Sequence, residues 1–103
     1  MGDTDMEKIY FTITGTCFYY GKAFFEKDMK VKLVKEPDNE HDKEAIKVEL
    51  EGLGLVGYVA NSPNTVVGES CSAGRLYDKI EDTAEGTVLY NVDGGVLCYI
   101  EKE

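Results

Sequence analysis

The side chains that could do chemistry are concentrated in the loop that follows Pro37. Asn39, His41 and Asp42 lie close together there. A carboxylate accepts hydrogen bonds, and a carboxamide both donates and accepts them, so this group could read a ligand that carries a hydroxyl. The same residue types also build irregular loops, because Asn and Asp side chains bond to nearby backbone N–H groups. The residues therefore predict either a hydroxyl-binding site or a loop that is shaped by its own side chains.

Catalysis and metal binding are the alternatives for these residues. His41 and Asp42 are adjacent, no spacing suggests a Cys–His nucleophile pair, and no glycine-rich phosphate loop precedes a helix. Cys17, Cys71 and Cys98 are odd in number and far apart, which predicts reduced thiols. With His41 they could form a zinc set, but no closely spaced ligand pair is present to chelate the metal. We expect no catalysis, no zinc and no other cofactor. An unrecognised hydrolase remains as the alternative to a binding module.

Charge and length limit the class of protein. The 103 residues predict one domain, with a flexible acidic tail at 1–7 and the domain at 8–103. The formal charge of −9 is unusual for a general nucleic-acid binder, which relies on lysine and arginine. However, residues 22–47 hold seven lysines against seven acids, so any nucleic acid should bind near this neutral span with few phosphate contacts. An acidic start and the lack of a long apolar run predict a cytoplasmic protein.

The elements that must position these side chains are predicted to be strands. Ile9–Thr14 alternates apolar and polar residues with the period of two that a half-buried strand requires. The same reasoning predicts strands at 29–36, 45–50, 55–59, 87–92 and 96–101. Short helices are predicted from Ser62 to about Val67 and over 72–80. About six or seven strands with one or two short helices predict a mainly β protein, a small OB/SH3-like β-barrel.

Aromatic residues are crowded into the first quarter of the chain. Seven of the eleven lie between Tyr10 and Phe25. Most of them are expected to fill the core of a small barrel. One or two could face outward as a stacking platform for a base, and Phe18 or Tyr19, beside a glycine that lets another backbone approach, is the candidate.

Three segments together resemble the signature of the HIRAN domain. They are Leu33–Val48 (LVKEPDNEHDKEAIKV), Val56–Val59 (VGYV) and, upstream, Gly15–Gly21 (GTCFYYG). The resemblance runs from Phe11 to Ile80. It implies a small barrel related to OB and SH3-like folds, and a module that grips the 3′-hydroxyl end of single-stranded DNA. It also implies that Asn39, His41 and Asp42 read that end, with Phe18 as the neighbouring aromatic residue. The predicted DNA-binding residues are Phe18, Tyr19, Asn39, His41, Asp42, Lys43, Tyr58 and Arg75.

The chain departs from a DNA-binding relative at three places. Cys17 stands where that relative has an arginine, Ala60 and Asn61 stand where it has lysines, and His41 stands where an aromatic residue is common. Lys43, Lys47 or Arg75 could replace the lost contacts. The sequence predicts a low-affinity binder of a single-stranded DNA 3′ end. The alternative, which the acidity favours, is a protein-interaction or regulatory module that has lost DNA binding and uses a protein partner or a second copy of itself.

Overall fold

The described part of the chain forms a closed antiparallel barrel of six strands with one short helix. The computed structural model describes residues 7–15, 25–40, 42–61, 70–92 and 95–102. The elements in chain order are β1 (Glu7–Thr14), β2 (Lys30–Lys35), β3 (Ile46–Leu50), β4 (Gly54–Val59), α1 (Ala73–Tyr77), β5 (Thr83–Val92) and β6 (Gly95–Lys102). The strands close in the order β1-β4-β3-β2-β5-β6. The predicted mainly β barrel is confirmed, and in the described part of the chain no helix is long and apolar enough to cross a membrane.

The core follows the alternation of the strands. On β2, Val31 and Leu33 point inward and are buried, whereas Lys30 and Lys32 point outward and are exposed. The largest fully buried side chains come from all six strands and from α1; they are Phe11, Ile13, Leu33, Ile46, Leu76, Val48, Val56, Val88, Val96, Thr12 and Cys98. Because the helix contributes Leu76 to this core, α1 is held against the barrel that carries the loop around Asp42.

Two predicted boundaries are wrong. The strand predicted at 87–92 begins at Thr83, because Gly86 lies inside β5 instead of preceding it. A Cβ at Gly86 would stand 2.9 Å from Cζ of Phe11, so the glycine makes room for that ring. The helix predicted over 72–80 spans only Ala73–Tyr77 and ends at the cap residue Asp78. The helix predicted from Ser62 to Val67 lies outside the described residues.

The barrel closes through β1. This strand pairs with β6 along its length, from Glu7↔Lys102 to Ile13↔Val96, but with β4 only at its last two residues. Beside the unpaired part of β1, its Tyr10 carbonyl accepts from Cys71 N at 2.7 Å and its Thr12 carbonyl accepts from Ala60 N at 2.7 Å. The segments around Ala60 and Cys71 therefore complete the wall of the barrel at this point.

Two of the three cysteines belong to the described part of the chain. Cys71 and Cys98 are free thiols, and both are buried. Burial raises the pKa of Cys98 to about 12, so this thiol stays protonated and behaves as a small apolar residue. Cys17 lies outside the described residues.

Candidate nucleic-acid interface

The loop between β2 and β3 is held in shape by its own polar groups. The carbonyl of Ala45 accepts from Glu36 N at 2.9 Å and so closes the base of the loop. Within it, Asn39 Oδ1 accepts from Asp42 N at 2.9 Å, and Asn39 Nδ2 donates to Glu36 Oε1 at 3.1 Å. Asp42 Oδ1 accepts from Glu44 N at 2.9 Å. These contacts are the local turns that short polar side chains favour. Asn39 and Asp42 therefore shape this loop, whatever they bind.

Asp42 is also bonded to a residue far away in the chain. Its second oxygen, Oδ2, accepts from Asn61 Nδ2 at 2.9 Å. Asn61 lies just after β4, and its own Oδ1 accepts from Gly74 N in α1 at 2.9 Å. Each carboxylate oxygen of Asp42 thus accepts one of these hydrogen bonds. Because an ionised carboxylate offers about four acceptor positions, the group retains acceptor capacity in directions set by these two donors.

An open groove of 380 Å³ lies beside this loop. It is lined by Lys35, Glu36, Pro37, Asp38, Asn39 and Tyr58. Tyr58 is half-buried on the outer face of β4 and stands directly across from Lys47 on β3. Tyr58 provides the groove with an aromatic side chain. Asn39 connects the groove to the backbone of Asp42, because its Oδ1 accepts from Asp42 N.

The lysine next to Tyr58 is already paired with carboxylates. Lys47 Nζ lies 3.2 Å from Glu49 Oε2 and 4.0 Å from Glu36 Oε2, and all three side chains are about one quarter exposed. Partly exposed pairs of this kind contribute less than about 1 kcal/mol each to stability. These ion pairs matter more for ligand binding than for stability, because the two carboxylates offset the positive charge of Lys47 that would otherwise attract a phosphate.

The structure brings together some of the predicted site residues. Asn39, Asp42 and Lys43 share one loop, and Tyr58 lines the adjoining groove. Arg75 is exposed on α1, directly after Gly74, and so lies one residue from the helix position that bonds Asn61. The other predicted residues, Phe18, Tyr19 and His41, lie outside the described residues.

Asn61 bonds the candidate site but is not among the predicted binding residues, although the resemblance placed it where a DNA-binding relative has a lysine. The pattern Asn61-Ser62-Pro63-Asn64 indicates a helix start, and no local pattern joins Asn61 to Asp42. The strand register supplies that link. Lys47 on β3 pairs with Tyr58 on β4, so the start of β3 and the end of β4 lie side by side. A carboxamide just after β4 can therefore reach the loop that precedes β3.

The match to a known family extends from β1 through β5. The family model of the HIRAN domain matches residues 6–93. The chain belongs to the HIRAN domain family. The crystal structure of the HIRAN domain of human HLTF has a similar fold, with a TM-score of 0.59 at 21% sequence identity. The match covers 93% of this chain and 76% of that chain.

Curated proteins give no match to the chain. The HIRAN domain is a binding module, and membership of the family supports a nucleic-acid-binding role. The likeness to the human structure extends to the fold, because the sequence identity is low. The side chains of this HIRAN domain itself determine which groups of a ligand it recognises.

Proposed function

We propose that this HIRAN domain binds single-stranded DNA at its 3′ end and recognises the terminal hydroxyl through the carboxylate of Asp42. The observation that carries the proposal is the doubly held carboxylate of Asp42, in the same loop whose Asp38 and Asn39 line an open groove. Glu44 N and Asn61 Nδ2 each donate to one oxygen, so the carboxylate is oriented before a ligand arrives. A hydroxyl that donates to a fixed carboxylate forms a charge-assisted hydrogen bond, which is stronger than a neutral one.

The groove supports a nucleotide as the ligand. Its volume of 380 Å³ lies within the range of about 300–1,000 Å³ that is typical of small-ligand sites. Tyr58 lines it, and an aromatic ring can stack on any base. Recognition in this arrangement depends on the end of the strand and hardly at all on the base sequence.

The charges of the site support low affinity. Lys47 is paired with Glu36 and Glu49, and the whole chain carries a net charge of −9. Most of the affinity of nucleic-acid binders comes from cations that displace condensed counterions from phosphates. Because the charge of Lys47 is offset and the chain is acidic, we expect contacts to about one to three phosphates and dissociation constants in the micromolar range or weaker.

The proposal predicts that the terminal group decides binding. A short single strand that ends in a 3′-hydroxyl should bind about tenfold or more tightly than the same strand with a 3′-phosphate. The phosphate places negative charge against Asp42 and removes the donor. Fluorescence anisotropy at low salt, with the two ends side by side, measures this ratio. The slope of log affinity against log salt should be shallow, at about −0.7 per phosphate contact. Equal binding of the two ends, or no binding by either, would contradict the proposal.

A protein-interaction or regulatory module is the second candidate function. The observation that favours it, besides the acidity, is the presence of exposed tyrosines on the outside of the barrel. Tyr10 on β1 is 43% exposed and Tyr90 on β5 is 56% exposed. Exposed aromatic side chains are common at protein interfaces. The titration above separates the two functions, because a module that has lost DNA binding should show no response to the end of the strand.

The pairing of Lys47 leads to a prediction about affinity. Glu49→Gln removes the closer carboxylate and leaves Lys47 with the weaker contact to Glu36. We expect single-stranded DNA to bind about two- to fivefold more tightly, with a salt slope steeper by up to about 0.7. Glu85→Gln is the control, because it makes the same charge change on β5, away from the groove. If both variants bind equally more tightly, net charge and not the release of Lys47 is responsible.

A further inference from the structure

Asn61 joins the loop around Asp42 to the wall of the barrel and to α1. Its carboxamide is bonded at both ends, to Asp42 Oδ2 on one side and to Gly74 N on the other. We infer that Asn61 is a positioning residue that orients the Asp42 carboxylate and so sets selectivity for a 3′-hydroxyl. The inference rests on the proposed function for its ligand, but the positioning itself can be measured without DNA.

The backbone next to Asn61 is fixed from two directions. Ala60 is completely buried; its N–H donates to the Thr12 carbonyl on β1 at 2.7 Å, and its carbonyl accepts from Ala73 N at 2.8 Å. Strand β1 and helix α1 therefore hold the chain at the residue before Asn61. A side chain attached to such a fixed backbone needs little further ordering to reach Asp42, so the position of its carboxamide is well defined.

The direction of the carboxamide is also determined. A backbone N–H can only donate, so the atom that faces Gly74 N has to be the oxygen Oδ1. The amide nitrogen Nδ2 then has to face Asp42, where it meets an acceptor. Turning the carboxamide over would place donor against donor at Gly74 and acceptor against acceptor at Asp42. Asn61 therefore has one favourable orientation, and that orientation presents a donor to Oδ2.

Two hydrogen-bond donors, one to each oxygen, fix the orientation of the Asp42 carboxylate plane. Glu44 N belongs to the same loop as Asp42, whereas Asn61 Nδ2 belongs to the barrel wall. Only the second contact fixes the carboxylate relative to β4, which carries Tyr58 on the groove. Loss of the Asn61 donor should therefore leave the loop folded but let the carboxylate turn away from its position beside the groove.

Two substitutions separate the contact with Asp42 from the contact with Gly74. Asn61→Asp keeps an acceptor for Gly74 N but places negative charge against Asp42. Asn61→Lys keeps a donor for Asp42 but has no acceptor for Gly74 N. The measurement is the ratio of affinities for single strands with a 3′-hydroxyl and with a 3′-deoxy end, which have equal charge. We expect a ratio of about ten or more in the wild type, about the same in Asn61→Lys, and about one in Asn61→Asp.

The opposite pattern would overturn the inference. If Asn61→Asp keeps the hydroxyl preference and Asn61→Lys loses it, Asn61 acts only through α1 and has a structural role. The temperature coefficient of the Glu44 amide proton, measured by NMR on the free protein, tests the positioning without DNA. It should indicate a weakened hydrogen bond in Asn61→Asp, and an unchanged value contradicts the inference. A wild type that binds both ends equally contradicts the proposed function, and the Glu44 amide alone then decides whether Asn61 holds Asp42.

Discussion

Replacing Phe11 by alanine should lower the free energy of unfolding by about 3–5 kcal/mol, the range for truncating a buried aromatic residue. Phe11 is completely buried near the middle of β1. Its ring packs so closely on Gly86 that a Cβ there would stand 2.9 Å from Cζ, and the same Cβ would lie 3.2 Å from Val31. Because Gly86 has no side chain to move into the vacated space, the cavity should remain largely open.

Tyr10→Ala is the matched control for this result. Tyr10 is the neighbouring residue on β1, but it points outward, is 43% exposed and contacts the ring of Tyr99 at a centroid distance of 6.3 Å. Its loss should cost about 1 kcal/mol or less, as for other partly exposed aromatic pairs. Denaturant unfolding of both variants gives the comparison. If both variants lose the same free energy of unfolding, the packing of Phe11 on β1 against Gly86 on β5 does not dominate the stability of the barrel.

The second large effect is expected at Asp42. Asp42→Asn changes one heavy atom, yet it should reduce the 3′-hydroxyl preference about tenfold or more, to near one, and cost up to about 1 kcal/mol of stability, since the two donors are at most partly buried. The wild-type oxygens accept from two different donors, Glu44 N and Asn61 Nδ2. A carboxamide has only one oxygen, so its NH₂ group would face one of these donors and leave it without an acceptor.

Asp38→Asn makes the same charge change in the same loop. Asp38 is exposed and lines the groove. We expect Asp38→Asn to leave thermal stability unchanged and to raise the affinity of both strand ends by the same small factor. Thermal unfolding and the anisotropy titration, carried out on both variants, test the difference. If Asp42→Asn retains the hydroxyl preference, the carboxylate is not the group that reads the strand end.

The strands could be predicted because their pattern is local. On β2 and β3 the alternation of buried and exposed residues predicts both the strand and its inward face. The first part of β5, Thr83–Gly86, contains no large apolar side chain that would mark an inward face. It becomes a strand by pairing with β2, where Ala84 lies across from Leu33 and Gly86 across from Val31. Pairing between distant segments decides this region, and a local pattern cannot show it.

The site could be predicted as far as its contacts are local. Asn39 and Asp42 bond groups within a few residues, as loop-building side chains commonly do. The bond from Asn61 crosses 19 residues and depends on the β3–β4 register, so the sequence contains no signal for it. Lys47 was a reasonable candidate for a phosphate contact. Glu49 lies on the same face of β3, two residues further along, and this proximity limits the charge that Lys47 can offer.

The closure of the barrel limits how a protein partner could bind. Each of the six described strands has a hydrogen-bonded neighbour on both sides, and β1 joins β6 to β4. A partner peptide that adds a strand to a sheet needs an exposed edge with unpaired backbone groups. Strand addition along five of the six seams would first have to break an existing ladder, such as the long one between β1 and β6. Because β1 and β4 pair only at Ile13↔Val59 and Thr14↔Tyr58, a partner that adds a strand is limited to this short seam, and elsewhere it would have to recognise side chains on the outer surface.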